Sequence, residues 1–214
     1  MFTYKSYIFG NVKVYTIEFG EFDPTPHIEV LNEEEKIRVN RFVLGKRQRE
    51  FVATRILKEK ILPKSTILYN SLGAPYIENG PYISISHSPT IAGIAVCENH
   101  PIGFDLEPIR EKVQRIKTKF LHPHEYKTSD TEDTETLIKL WSGKEALYKL
   151  ACREEVIFAE DLLITQVEQT NWLGYINQPD GVYKTEMCIF TEKETVVSVT
   201  TSDVQRTDEH ILKN

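Results

Sequence analysis

The chain has 214 residues, of which 40% are hydrophobic and 27% charged, and a formal net charge of −6. That is the composition of a soluble globular protein with room for a proper core, and its acidity argues against a general nucleic-acid binder. No run approaches the roughly eighteen apolar residues that a membrane helix needs.

Residues 1–10 hold too short an apolar run for a secretory signal. Cys97, Cys152 and Cys188 make neither a zinc pattern nor a disulfide framework, and a cytoplasmic location is expected. Residues 12–19 alternate and are rich in β-branched and aromatic side chains, which predicts a strand. Asp23-Pro-Thr-Pro reads as a loop. Asn32 before Glu33, Glu34 and Glu35 predicts a capped helix start with an acidic first turn, the helix running toward Leu44. A second helix over about 46–61 should turn Phe51, Ile56, Leu57 and Ile61 inward and Arg47, Arg55 and Lys58 outward. Between Lys36 and Lys60 nine basic residues stand against two acidic ones. A solvated helix face and an anion or acidic-partner site account for that excess about equally well.

Strand-like runs follow at 67–69, 75–77, 82–86 and 91–97, with Asn79-Gly80 marking a tight turn. Residues 102–107 read as a further strand, and 112–120 and 124–127 as helices. An acidic loop leads into a helix over 134–152. Runs at 162–166, 172–176, 183–190 and 195–200 read as strands, and the polar residues from Ser202 are expected to be loosely held. Helices followed by strands thus occur twice. The pattern predicts an α+β fold of two similar halves, residues 1–100 and 101–214, with a cleft at their junction.

In the 134–152 helix Leu140, Leu147, Leu150 and Ala151 form one apolar stripe. Trp141, Glu145 and Lys149 are spaced four apart and share a face, flanked by Lys144 and Tyr148. Alone, that face is most simply a solvated one with an ion pair. Asp105 and Glu107, two apart on their strand, point to the same side. Like charges flanked by Ile102, Phe104 and Leu106 are costly unless a cation or basic group sits between them; a wet edge strand is the plainer alternative. If Glu145 joins them, three carboxylates make a hard oxygen site suited to magnesium, which with adjacent lysines serves chemistry at a phosphate. Ser84-Ile-Ser86-His87-Ser88 ends a strand with hydroxyls and an imidazole able to donate to phosphate oxygens. Neither Ser84 nor Ser86 lies on a Gly-x-Ser-x-Gly turn, which counts against nucleophilic hydrolysis.

Gly103-x-Asp105-x-Glu107, followed by Trp141-Ser-x-Lys144-Glu145-Ala-x-x-Lys149 and preceded by Ser86-His87-Ser88, resembles the 4′-phosphopantetheinyl transferase family. Leu121-His-Pro-His-Glu125 is similar to the helix-start segment that this family carries between the two motifs. Length and layout are similar to the larger, monomeric type, of which the surfactin-synthetase activator is the pattern. For the fold the resemblance, over about 40–151, implies an intramolecular pseudo-dimer with the active site at the junction. For activity it implies transfer of 4′-phosphopantetheine from coenzyme A to a serine of an apo acyl or peptidyl carrier protein. It further implies that Asp105, Glu107 and Glu145 hold Mg2+ on the pyrophosphate, and that Lys149 meets phosphate oxygens or the leaving group. Lys144 would lie along the coenzyme A site, Ser86 and His87 would contact its phosphates, and Lys46, Arg47 and Arg55 would grip the 3′-phosphate. Gly73-Ala74-Pro75 stands where the family usually has Gly-Lys-Pro, so a side-chain grip is missing while backbone contacts from Gly73 and Pro75 remain. Glu145 is the candidate base, directly or through a metal-bound water. A magnesium-dependent pyrophosphate hydrolase and a non-catalytic carrier-binding module are the alternatives. A monomer with neither nucleic-acid nor membrane partners is expected.

Overall fold

The protein is described from a computed structural model over residues 2–43 and 45–208. In chain order, β1 (Thr3–Phe9) and β2 (Val12–Glu18) form a hairpin through Gly10, which takes a left-handed φ of +57°. Next come α1 (Glu33–Asn40), α2 (Gly45–Ile61), the short pair β3 (Leu68–Tyr69) and β4 (Pro75–Tyr76), then β5 (Tyr82–His87) and β6 (Ile91–Cys97). The strands β1-β2-β6-β5 make an antiparallel sheet, and Ala53 and Leu57 of α2 pack against its Ile17, Ile83 and Ile94.

The second part contains β7 (Phe104–Pro108), 3-10 turns at Glu111–Arg115 and Lys117–Lys119, α3 (Pro123–Thr128), α4 (Thr134–Ala151) and α5 (Phe158–Asp161). After them come β8 (Leu162–Glu168), β9 (Asn171–Gln178), β10 (Gly181–Glu192), β11 (Thr195–Thr200) and β12 (Gln205–Thr207). Their sheet runs β7-β11-β10-β9-β8, with β12 paired to β10. Leu137, Leu140 and Leu147 of α4 are fully buried against Ile164, Trp172, Ile189 and Val196 of that sheet. The fold is thus α+β, with a helix laid on each of two sheets. No described helix is long and apolar enough to cross a membrane.

Some expectations need correction. The helix opened by the Asn32–Glu35 capping box stops at Asn40; its expected end at Leu44 lies outside the described residues. Residues 112–120 form 3-10 turns, and β12 ties down a tail expected to be loose; residues 209–214 lie outside the described residues. Strand β1 escapes periodicity reading because it is an edge strand whose polar and aromatic side chains are mostly wet. Arg55 and Lys58, expected outward, are turned in at 2% and 7% exposure. Each has found a partner: Arg55 bonds Glu35 at 2.5 Å, and Lys58 bonds the Ser65 carbonyl and Glu59.

The two sheets meet where β5 runs beside β7. There the hydroxyls of Ser84 and Ser86 accept the N–H groups of Phe104 and Leu106, each at 3.1 Å. Helix α4 crosses the same strand so closely that a Cβ on Gly103 would stand 1.9 Å from the Ala146 carbonyl oxygen. That oxygen and the Ala146 carbonyl carbon, at 2.7 Å, both belong to backbone, so nothing flexible can yield. Gly103→Ala is therefore expected to cost about 1–3 kcal/mol or more and to push the helix off the strand. Urea unfolding measures the first effect and loss of activity the second; wild-type stability in this variant would contradict the packing.

Candidate active site

Asp105 and Glu107 project from β7 toward α4, while Phe104 and Leu106 fill the apolar layer beneath. Asp105 is buried and held from three sides. Its Oδ1 accepts from Ser86 Oγ and Lys149 Nζ, both at 2.9 Å, and its Oδ2 accepts from Ser142 Oγ at 3.0 Å. Glu107 accepts the Trp141 indole N–H at 3.2 Å. The indole is itself fixed, stacked on Phe158 and edge-on to Phe120. The Trp141–Glu145–Lys149 face thus lies against the acidic strand, and Asp133 starts the helix by capping the Thr136 N–H.

Burial, followed by the charge of Asp105, raises Glu107 above the ordinary carboxylate range. The same two causes in the same order push Glu145 up to about 7. Three carboxylates share this corner with a single lysine. Lys149 spends two of its three protons on Asp105 and the Phe104 carbonyl, the latter at 2.8 Å. The third remains for whatever fills the cavity of about 230 Å³ that Lys149 lines.

That cavity is one end of a groove. A second cavity of about 340 Å³, lined by Arg38, Arg47, Arg55, Glu50 and His87, shares Gly73, Pro75 and Ile85 with the first. The groove therefore carries Lys149, which bonds Asp105 behind it, and Arg153 at one end and a cluster of arginines at the other. Its length and polarity suit an extended anion with charge at both ends. At position 73 the turn needs φ of +77°, which a glycine adopts without strain.

Among the described residues, no three His, Cys, Asp or Glu side chains are drawn together into a ready-made metal cage. The donor chemistry nevertheless fits a hard divalent cation. Asp105, Glu107 and Glu145 are all oxygen donors, and the charge of Asp105 raises both glutamates, repulsion that a cation would relieve.

The expected site residues divide sharply. Asp105, Glu145 and Lys149 converge, with Glu107 beside them. Arg47, His87, Gly73 and Pro75 line the groove, whereas Lys46 is half-exposed and lies 3.7 Å from Glu50. Arg55 lines it too, but its guanidinium is committed to Glu35 and Tyr69 and lies over the Phe51 ring. The hydroxyl of Ser86 donates to Asp105 and accepts the Leu106 N–H, so it joins β5 to β7 and steadies Asp105.

Lys144 does not lie along the groove. It is fully buried, 2.8 Å from Glu125, and also bonds the carbonyls of Phe120 and Phe158. Burial pushes Glu125 up and Lys144 down toward a neutral pair, and their mutual contact opposes both shifts. Lys144→Met should strand Glu125 in the core and lower stability by roughly 3–5 kcal/mol. Denaturant titration checks this; normal stability with a raised KM for a nucleotide substrate would return Lys144 to the groove. The residues that sequence reasoning passed over are Ser142, Glu50 and Tyr69. Only Ser142 left a trace, inside the Trp141–Lys149 motif.

Residues 101–200 match the profile described as the 4′-phosphopantetheinyl transferase superfamily. The chain is 26% identical over 160 residues to 4′-phosphopantetheinyl transferase gsp of Aneurinibacillus migulanus, a match covering 67% of either chain. It is 29% identical over 138 residues to 4′-phosphopantetheinyl transferase HetI of Nostoc sp. (strain PCC 7120), covering 56% of this chain and 58% of that protein.

Proposed function

We propose that this chain, which belongs to the 4′-phosphopantetheinyl transferase superfamily and is an enzyme of that kind, moves the phosphopantetheine arm of coenzyme A onto a serine of an apo acyl or peptidyl carrier protein. Residues 1–100 and 101–214 are the two subdomains of a monomeric pseudo-dimer, and magnesium is required. The observation that carries this reading is the groove, which runs from Lys149, itself bonded to Asp105, past Gly73 and Pro75 to Arg47 and His87. Coenzyme A has the matching charges: a pyrophosphate for one end and a 3′-phosphate for the other.

The carrier serine attacks the β-phosphorus, the bond to the α-phosphate oxygen breaks, and adenosine 3′,5′-bisphosphate leaves. Glu145, facing the acidic corner beside Asp105, takes the serine proton. The free proton of Lys149 meets the charge that builds up on the phosphate oxygens. Asp105 anchors that ammonium, while Ser86 and Ser142 hold Asp105. Asp105, Glu107 and Glu145 would hold Mg2+, which when bound neutralises pyrophosphate charge. Arg47 and His87 bind the far phosphate. Gly73 and Pro75 leave room for the nucleotide where Ala74 offers no charged grip.

Incubating the protein with coenzyme A, Mg2+ and an apo carrier protein, then weighing the carrier, tests the reading. Gain of one phosphopantetheine, abolished by a chelator, is expected. Nucleotide cleavage without carrier modification would point to a hydrolase, and carrier binding without chemistry to an adaptor.

A further inference from the structure

Glu50 is a buried carboxylate in a pocket otherwise furnished for anions. Its side chain is 3% exposed, and it lines the arginine end of the groove with His87. A negative charge there repels the phosphate that Arg38, Arg47 and Arg55 attract, and burial adds a desolvation penalty. Its contacts give it a purpose. Oε2 lies 3.0 Å from Arg47 Nη1 and 3.5 Å from His87 Nδ1, and Oε1 lies 3.7 Å from Lys46 Nζ. A carboxylate against Nδ1 draws the single proton of a neutral imidazole onto that nitrogen. Nε2 is then left with a lone pair, which cannot donate to a phosphate oxygen.

We infer that Glu50 is the positioning residue of this pocket: by holding the proton of His87 on Nδ1, it lets a phosphomonoester bind only together with a second proton on Nε2. The inference rests on the coenzyme A reading, the phosphomonoester being the nucleotide's 3′-phosphate. The charged groups facing His87 are Glu50 and Arg47 from α2 and Lys149 from α4; Arg38 of α1 and Arg55 of α2 share the cavity. Burial comes first in holding the imidazole below its ordinary value, Arg47 and Lys149 add to that, and Glu50 opposes them. The free ring is therefore biased toward its neutral form, and the proton arrives from solvent as the phosphate enters. Occupancy of the pocket becomes pH-dependent, and nucleotides lacking the phosphomonoester gain nothing from it.

Calorimetric titration with coenzyme A, in buffers of differing ionisation enthalpy near pH 7.5, tests this, with 3′-dephospho-coenzyme A, which carries no phosphomonoester, as control. Coenzyme A should take up about one proton more than its dephospho form, and its Kd should rise up to about tenfold per pH unit above neutrality. In Glu50→Gln the amide can donate to Nδ1, so a neutral ring can carry its proton on Nε2. That variant should lose the extra uptake and bind with a flatter pH profile. Equal proton uptake in the two proteins overturns the role of Glu50 while leaving the coenzyme A reading intact. No binding of coenzyme A by the unmodified protein overturns both. Nitrogen-15 NMR of His87 in the unmodified protein needs no variant: an Nδ1–H neutral ring that becomes imidazolium on binding is expected, and an Nε2–H ring in the free protein contradicts the inference.

Discussion

Asp105→Asn should lower kcat/KM for carrier modification by about a thousandfold or more, a loss of the size seen when a preorganised electrostatic group is removed. The substitution keeps the size and shape of the side chain. Its oxygen can still accept from Ser86 and Lys149, and its amide can face Ser142, so the frame joining β5, β7 and α4 survives. What disappears is the charge that anchors Lys149 and contributes to the acidic corner. The melting temperature should therefore move by only a few degrees. Asp105→Ala should lose as much activity and also destabilise, by about 1–3 kcal/mol, because Ser86 and Ser142 are left with unmet buried donors. Activity near wild type in the asparagine variant would remove Asp105 from the chemistry.

Glu145→Gln should separate stability from function in the opposite sense. A carboxyl raised from 4.5 to about 7 in the folded state binds an extra proton on folding between those values. Stability of the metal-free protein accordingly falls as pH rises through that window, by at most about 3 kcal/mol and less by whatever solvent screening removes. The glutamine variant lacks this penalty. Without divalent cations at pH 8 it should be more resistant to urea than the unmodified protein, and at pH 4.5 the two should converge. Its turnover should fall by a factor of about a hundred to ten thousand through loss of the base. Added Mg2+ should stabilise the unmodified protein at pH 8 more than the variant. A variant that is less stable at every pH would mean that Glu145 is not held in a repulsive site.

The acidic strand and the helix that faces it were legible because their signals are local. A period of two turns Asp105 and Glu107 to one side, and a spacing of four aligns Trp141, Glu145 and Lys149, whatever the rest of the chain does. The capping residues before α1 and the apolar stripe of α4 are signals of the same kind. Charged side chains misled where the partner lay far along the chain. Arg55 and Lys144 read as outward or ligand-facing because charge normally means solvent, and Glu35 and Glu125, which admit them to the interior, show no sequence sign of being close. The two partners of Ser86 were likewise hidden, since both come from another strand.

By itself, the sequence determined most of the element types, the α+β class and the set of residues able to do chemistry at a phosphate, because backbone periodicity and side-chain chemistry are properties of short segments. Tertiary structure alone decided which of those residues share a site. Gly103 brings α4 against β7, hydroxyls join the two sheets, and the groove between them exposes Lys149, Arg47 and His87 while sealing Lys144 away. The physical reason is that desolvation and pairing depend on distance in space. Whether a lysine serves as a ligand contact or as half of a buried ion pair is settled by the carboxylate the fold sets beside it.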